Sequence, residues 1–209
     1  MRRFFYPRLH CAMARATTAG LCCLQIASAH AWTIDLNAAS RRVFLQVGNG
    51  SLNANSPPVN EVSVSVLGSQ VGNGSAQPMT SNSTQANSPY DNYAVCTAFS
   101  QVYVGGSYQR NGNSSAVSQL QVTSEANLTS AAGDTIAFSQ ISWTTSTVGN
   151  QDATPNVIPA GTFNGATQML KSIAPNQFIE NCHTFFYANS ALRAAGTYEG
   201  TVTYTLAIP

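Results

Sequence analysis

Near the end of the chain, Tyr198, Val202, Tyr204, Leu206 and Ile208 fall on one phase of a two-residue period, with Gly200 in the same phase. Thr197, Glu199, Thr201, Thr203 and Thr205 occupy the other phase. A period of two puts the sets on opposite sides of a pleated strand, and β-branched and aromatic residues suit that surface. The stretch therefore predicts a β-strand with one buried face. No charged residue follows Glu199 to shield its edge. A strand of this kind either closes a β-sandwich or offers its edge to another chain.

The rest of the chain agrees with an all-β fold. Helical periodicity is nearly absent, and short strand signals recur between clusters of Gly, Asn, Ser and Pro. Strands are expected near 32–36, 42–47, 61–67, 93–99, 101–109, 116–124, 135–143, 162–170, 182–187 and 197–208. Their spacing predicts an antiparallel immunoglobulin-like β-sandwich. One helical turn is expected at 189–195, capped by Ser190 and ended by Gly196, and a long exposed loop at 68–92. Gln46-Val-Gly-Asn-Gly-Ser51 recurs as Gln70-Val-Gly-Asn-Gly-Ser75. Two copies are too few for a repeat architecture and predict two similar turns.

The first 31 residues carry the pattern of a secretory signal. Arg2, Arg3, Arg8 and Arg15 make a basic region, 16–27 are mostly apolar, and Ala29-His30-Ala31 supplies a small-x-small cleavage site before Trp32. A membrane span needs about 20 mainly apolar residues, and Thr17, Thr18 and Gln25 break this stretch. Bulky Leu21 before Cys22 does not suit lipidation. The expectation is a cleaved signal at 1–31, no transmembrane anchor after cleavage, and one β-sandwich domain over 32–209.

Cleavage changes the charge and the cysteine arithmetic. Arg41, Arg42, Arg110, Lys171 and Arg193 remain against eight acidic residues, a formal net charge of −3. No basic patch is left to neutralise several phosphates, so nucleic acid is not an expected partner. Cys11, Cys22 and Cys23 leave with the signal, while Cys96 and Cys182 stay. An even pair in an exported chain predicts one disulfide. A zinc site would need a second ligand cluster besides Cys182-His183, and the sequence offers none.

Catalytic signals are equally sparse. His183 is the one histidine after residue 31, and no Gly-x-Ser-x-Gly elbow accompanies it. Asp91, Glu125, Asp134 and Asp152 could converge from separate loops as the paired carboxylates of a glycoside hydrolase, but eight scattered acids are the ordinary expectation for a soluble surface, and Gly105-Gly106 lacks the lysine of a phosphate loop. No enzyme activity, metal or cofactor is expected. An alternative is a self-complete secreted sandwich that binds a saccharide or protein ligand, with Trp143 and Tyr90 or Tyr93 as stacking faces. Against it, Trp143 ends the alternating run of Ile136, Phe138 and Ile141, where a core tryptophan is ordinary.

Ala195-Gly-Thr-Tyr-Glu-Gly-Thr-Val-Thr-Tyr-Thr-Leu206 resembles the closing strand of bacterial chaperone–usher pilus subunits, the archaic or alternate pilins and spore-coat-U-like domains. Asp134-Thr-Ile-Ala-Phe-Ser-Gln-Ile-Ser-Trp143 and Ile158-Pro-Ala-Gly-Thr162 add to the likeness. The resemblance implies a strand-incomplete sandwich. Its groove would be filled first by a periplasmic chaperone and then, at an outer-membrane usher, by the N-terminal extension of the next subunit. The implied donor strand carries Trp32, Ile34 and Leu36 on one side, and Val43, Leu45 and Val47 continue the alternation after a break. The implied acceptor edge is the terminal strand with Tyr198, Val202, Tyr204, Leu206 and Ile208. The implied job is a structural subunit of a surface fibre (pilus or fimbria) or coat, self-assembling by β-augmentation. It would pass through the periplasm to the cell surface or beyond.

Overall fold

The computed structural model describes residues 42–50, 59–110, 115–146 and 158–208. Contacts divide the chain into Met1–Leu36 and Asn37–Pro209, and every described residue lies in the second unit. The expected signal segment and the donor residues Trp32, Ile34 and Leu36 lie outside the described residues.

In chain order the strands are β1 (Arg42–Val47), β2 (Val62–Ser63), β3 (Gln77–Pro78), β4 (Thr80–Ser81), β5 (Val102–Gln109), β6 (Ser118–Ser124), β7 (Asn127–Ser130), β8 (Thr135–Ala137), β9 (Ile141–Ser146), β10 (Gly161–Thr162), β11 (Thr167–Ile173), β12 (Gln177–Tyr187), β13 (Tyr198–Glu199) and β14 (Val202–Ala207). Among the described residues one 3-10 turn, Phe138–Gln140, separates β8 from β9. The first sheet runs β1-β5-β12-β9-β10, with β3 also paired to β12. The second runs β11-β6-β14, and two small sheets, β13-β7-β8 and β2-β4, complete the set. Every pairing is antiparallel. The protein is an all-β antiparallel sandwich.

Alternation decides what goes inside. On β12, Ile179, His183, Phe185 and Tyr187 share the inner face and are buried with Val102 and Val104 of β5 and Trp143 of β9. Leu120 and Val122 of β6 and Leu170 and Ile173 of β11 belong to the same cluster from the second sheet. Consecutive glycines on β5 serve both faces. A Cβ on Gly106 would touch Ile173 at 3.6 Å and Leu206 at 3.7 Å, so these side chains of the second sheet close down on bare backbone. On the other face the Tyr103 ring lies across Gly105, and any Cβ there would collide with its hydroxyl.

Several expected strands are broken for identifiable reasons. The 197–208 stretch divides at Gly200, where the Phe138 ring crosses so closely that a Cβ would meet it at 2.7 Å. The 162–170 stretch divides at Gly165, whose φ of 75° is not a strand conformation. Residues 93–99 form a loop rather than a strand, since Asn92 and Phe99 at its ends have φ of 64° and 63°. The helical turn expected at 189–195 is absent, and Asn189 has φ of 50°. Strand β7 went unpredicted because Leu128 is its one apolar residue.

The repeated Gln-Val-Gly-Asn-Gly-Ser hexapeptide does make two turns, each clamped by a remote asparagine. Asn60 donates to the Val47 carbonyl at 2.8 Å and accepts from the Asn49 amide at 2.9 Å. Asn189 donates to the Gln70 carbonyl and accepts from the Gly72 amide, both at 2.8 Å. Each clamp bridges a carbonyl and the amide two residues on. The 68–92 segment is thus fastened at Gly72 and also contributes β3 and β4, and Ser83 and Ser88 within it are buried.

Gly105→Val forces Tyr103 out of its place, and overpacking of this kind costs about 1–3 kcal/mol. Urea unfolding of the oxidised protein is expected to show a lower midpoint with an unchanged slope. An unchanged midpoint would mean that Tyr103 has room to move.

Candidate functional site

Strand β14 carries the edge that the sequence singles out. Its inward residues Val202, Tyr204 and Leu206 stand opposite Ser124, Val122 and Leu120 of β6. The β6 members of those rows are fully buried, whereas the β14 members are only half-buried. Residue type does not explain the difference, because each pair faces the same interior. Position does: among the described residues, β14 pairs with β6 alone and its other edge has no strand. β1 is likewise an edge strand, paired with β5 alone, and it lies in contact with β14. Leu45 and Val47 on it are half-buried too.

The segment after β2 repeats this condition. Val62, Val64 and Val66 pack half-buried against the core while Glu61, Ser63, Ser65 and Leu67 are exposed. The ladder to β4 covers Val62 and Ser63 only. Val64, Ser65 and Val66 make no backbone hydrogen bond to any described residue. The predicted edge residues are not all brought together, however. Tyr198 sits on β13, paired to Ser130 of β7 and held by a 2.9 Å bond from its hydroxyl to the Ala194 carbonyl. Ile208 follows the end of β14 and is exposed.

His183 is buried behind β14 and takes no solvent. Its Nδ1 lies 3.3 Å from the Tyr204 hydroxyl, and its ring is parallel to Trp143 at a centroid distance of 6.1 Å. No described residue partners its Nε2. Burial alone pushes its pKa down to about 3, so it is neutral in ordinary conditions and carries no charge to the interior. Trp143 is a core residue as well, 4% exposed, with its indole N–H donating to the Pro159 carbonyl at 3.0 Å. It faces the interior, so it forms no joint platform with Tyr90 or Tyr93, which are exposed elsewhere.

The outer face of the first sheet holds a second cluster. Cys96 and Cys182 are joined in a disulfide with Cα atoms 5.4 Å apart, and Val95, Cys96, Tyr103 and Cys182 form a small buried core there. Glu180 lies in the same row as Gly105 and Gln46, and its carboxylate accepts a 2.8 Å hydrogen bond from the Tyr103 hydroxyl. Burial, Glu180 and Asp91 all push the Tyr103 hydroxyl upward, with burial the largest influence. Beside this cluster the Tyr90 ring stacks on Phe178 at 4.7 Å, and Phe178 on Phe44 at 5.9 Å. Sequence reasoning passed over Glu180 and Tyr103. The signal was present: Glu180 precedes Cys182 by two residues and so shares its face under the tethered loop.

Among the described residues no three His, Cys, Asp or Glu side chains group as a metal site. No helix there is long and apolar enough to cross a membrane. Searches of family models, curated proteins and solved structures return no match to this chain.

The disulfide closes a separation of 86 residues. In the chain-entropy account a loop of that size stabilises by about 4–5 kcal/mol. Cys182→Ser is therefore expected to lower the unfolding free energy by several kcal/mol in chemical denaturation, and an unchanged curve would contradict the bridge's role. For His183 the folded pKa lies below its unfolded value near 6.5. Its contribution is present above that pH and is lost as pH falls toward 3. The Tm difference between pH 7 and pH 4 should shrink in His183→Gln, and an equal difference would show that His183 does not carry the acid sensitivity.

Proposed function

We propose that this protein is an exported structural subunit of a surface fibre or coat, assembled by strand addition between copies. The observation that carries the reading is the β14 edge: an alternating strand with half-buried inward residues and, among the described residues, no strand paired to its second edge. An added strand would complete the backbone pairing of that edge and cover Val202, Tyr204 and Leu206. Val64–Val66, whose backbone groups find no described partner, is the candidate for the opposite wall of the same groove. The occupant we assign is residues 32–36 of a second copy, with Trp32, Ile34 and Leu36 directed inward. Full burial of a side chain such as Ile34 or Leu36 contributes about 1.5–3 kcal/mol. A periplasmic chaperone would occupy the groove before assembly. The Cys96–Cys182 disulfide supports passage through an oxidising compartment.

A second reading, a self-complete sandwich that binds a saccharide or protein ligand without catalysis, draws on the exposed rings of Tyr90 and Tyr93. One gel separates the two. The protein expressed to the periplasm, run in SDS with and without boiling, is expected to give a boiling-sensitive ladder that a variant beginning at Ser40 lacks. Ile34→Asp should abolish the ladder and leave the folded domain intact, because it carries a charge into an apolar groove. A single monomer band from a soluble protein made without any chaperone would overturn strand exchange and favour the second reading.

A further inference from the structure

Among the described residues the aromatic rings that stand more than half exposed are Tyr90, Tyr93 and Phe99, and all three lie on one arm, residues 80–101. The arm folds back on itself. The Val95 amide donates to the Ala86 carbonyl at 2.8 Å, Asn87 bridges Ala94, and the Ser88 amide donates to the Tyr93 carbonyl at 2.8 Å. Its tip is therefore 88–93. Two anchors hold this tip against the outer face of the first sheet. Cys96 is bonded to Cys182, and the side chain of the buried Ser88 hydrogen-bonds to Glu180 of β12. Pro89 also fixes one backbone torsion of the turn.

The tip carries a ring set in place. Tyr90 lies with one face on Phe178, their centroids 4.7 Å apart and their planes 20° from parallel, and Phe178 is backed in turn by Phe44. Tyr90 is nevertheless 52% exposed, so its opposite face is open. Tyr93 leaves the same turn and is 53% exposed. Between them stand Asp91 and Asn92, both exposed. Asp91 accepts the Tyr93 amide through one carboxylate oxygen at 3.0 Å, and Asn92 Oδ1 accepts from Asn87 Nδ2 at 3.4 Å. A ring immobilised before binding loses little freedom when a ligand arrives.

The chemistry on offer selects the ligand. The tip's backbone is already committed, with the Tyr90 amide on Ser88 Oγ at 3.1 Å and the Asn92 amide on the Ser88 carbonyl at 3.0 Å. A peptide therefore finds no open strand edge to join here. What remains is a ring face flanked by side-chain oxygens and amides. The negative face of an aromatic ring attracts the weakly positive C–H groups on the flat side of a sugar ring. Asp91 is the one charged residue of 80–101, so the arm offers nothing to hold an acidic sugar. We propose that the tip binds a neutral saccharide, with one sugar ring stacked on the open face of Tyr90 and its hydroxyls hydrogen-bonded by Asp91 and Asn92. This gives the ligand-binding reading a definite site. It does not depend on the β14 edge, so a fibre subunit can carry it as well.

Native gels cast with dextran, laminarin, galactomannan or the polyuronate alginate, and a gel without polysaccharide, test the site on the oxidised protein. Migration relative to the plain gel is expected to slow in at least one neutral polysaccharide and not in alginate. Tyr90→Ala should weaken that binding roughly tenfold, about the worth of one good ring contact. Tyr90→Phe keeps the stacking face and should bind as the native protein does, whereas Asp91→Asn should bind more weakly. Unchanged migration in all three neutral gels, equal slowing in Tyr90→Ala, or slowing in alginate alone would each overturn the proposal. Should Tyr90→Ala fail to fold, Asp91→Asn and Tyr90→Phe decide. The SDS ladder reads strand addition and these gels read the tip, so either can fail without the other.

Discussion

Backbone pairing along the eleven residues of β12 supports both layers of this structure. Gln177–His183 pair with β5, and Cys182–Tyr187 pair with β9. Phe186 and Tyr187 pair with both β9 and β3, while Cys182 and His183 stand where the two long ladders to β5 and β9 overlap. Because successive side chains point to opposite faces, these two neighbours do opposite jobs. Cys182 ties down the outer cover through the disulfide, and His183 meets Trp143 and Tyr204 in the interior. A one-residue slip of β12 would place a thiol in the aromatic interior and an imidazole under the outer loop, so register is strongly specified here.

Beside its aliphatic core the sandwich packs by laying rings over glycines, on the outer face of the first sheet as well as inside. Tyr103 covers Gly105, Trp143 covers Gly161 at a would-be Cβ distance of 2.6 Å, and Phe138 covers Gly200. Glycine in a strand is weak by itself, because it has no side chain to pack and much backbone freedom to lose. A ring on its bare backbone restores the buried area. The phenol and indole then use their polar ends, Tyr103 toward Glu180 and Trp143 toward Pro159. Large rings thus serve cohesion, and among the described aromatics only Tyr90, Tyr93 and Phe99 stand well exposed.

What was legible in the sequence was whatever a period of two could carry. The burial of Leu120 and Val122, the half-buried face of β14, the core role of Trp143 and the Cys96–Cys182 bridge all follow from alternation or from counting cysteines. What was not legible depends on residues far apart in the chain. Gly200 reads as one more member of an alternating strand until Phe138 is placed across it, and β13 then separates from β14. Glu180 reads as a surface acid until the Cys96 loop covers it. Whether Val64–Val66 gains a neighbour depends on chain beyond its own segment, since its alternation persists where its ladder stops.

The two asparagine clamps carry a consequence for how the chain acquires its form. The turn at Gln70–Gly74 is fixed by Asn189, across 117 positions in the bond to Gly72. Its capping partner therefore does not exist until synthesis has run well over a hundred residues past the turn. Contacts of such separation are slow to form, because the closure entropy precedes the reward. The turn at Gln70–Gly74 is therefore set late, when a residue of the closing strands' region comes back to hold it.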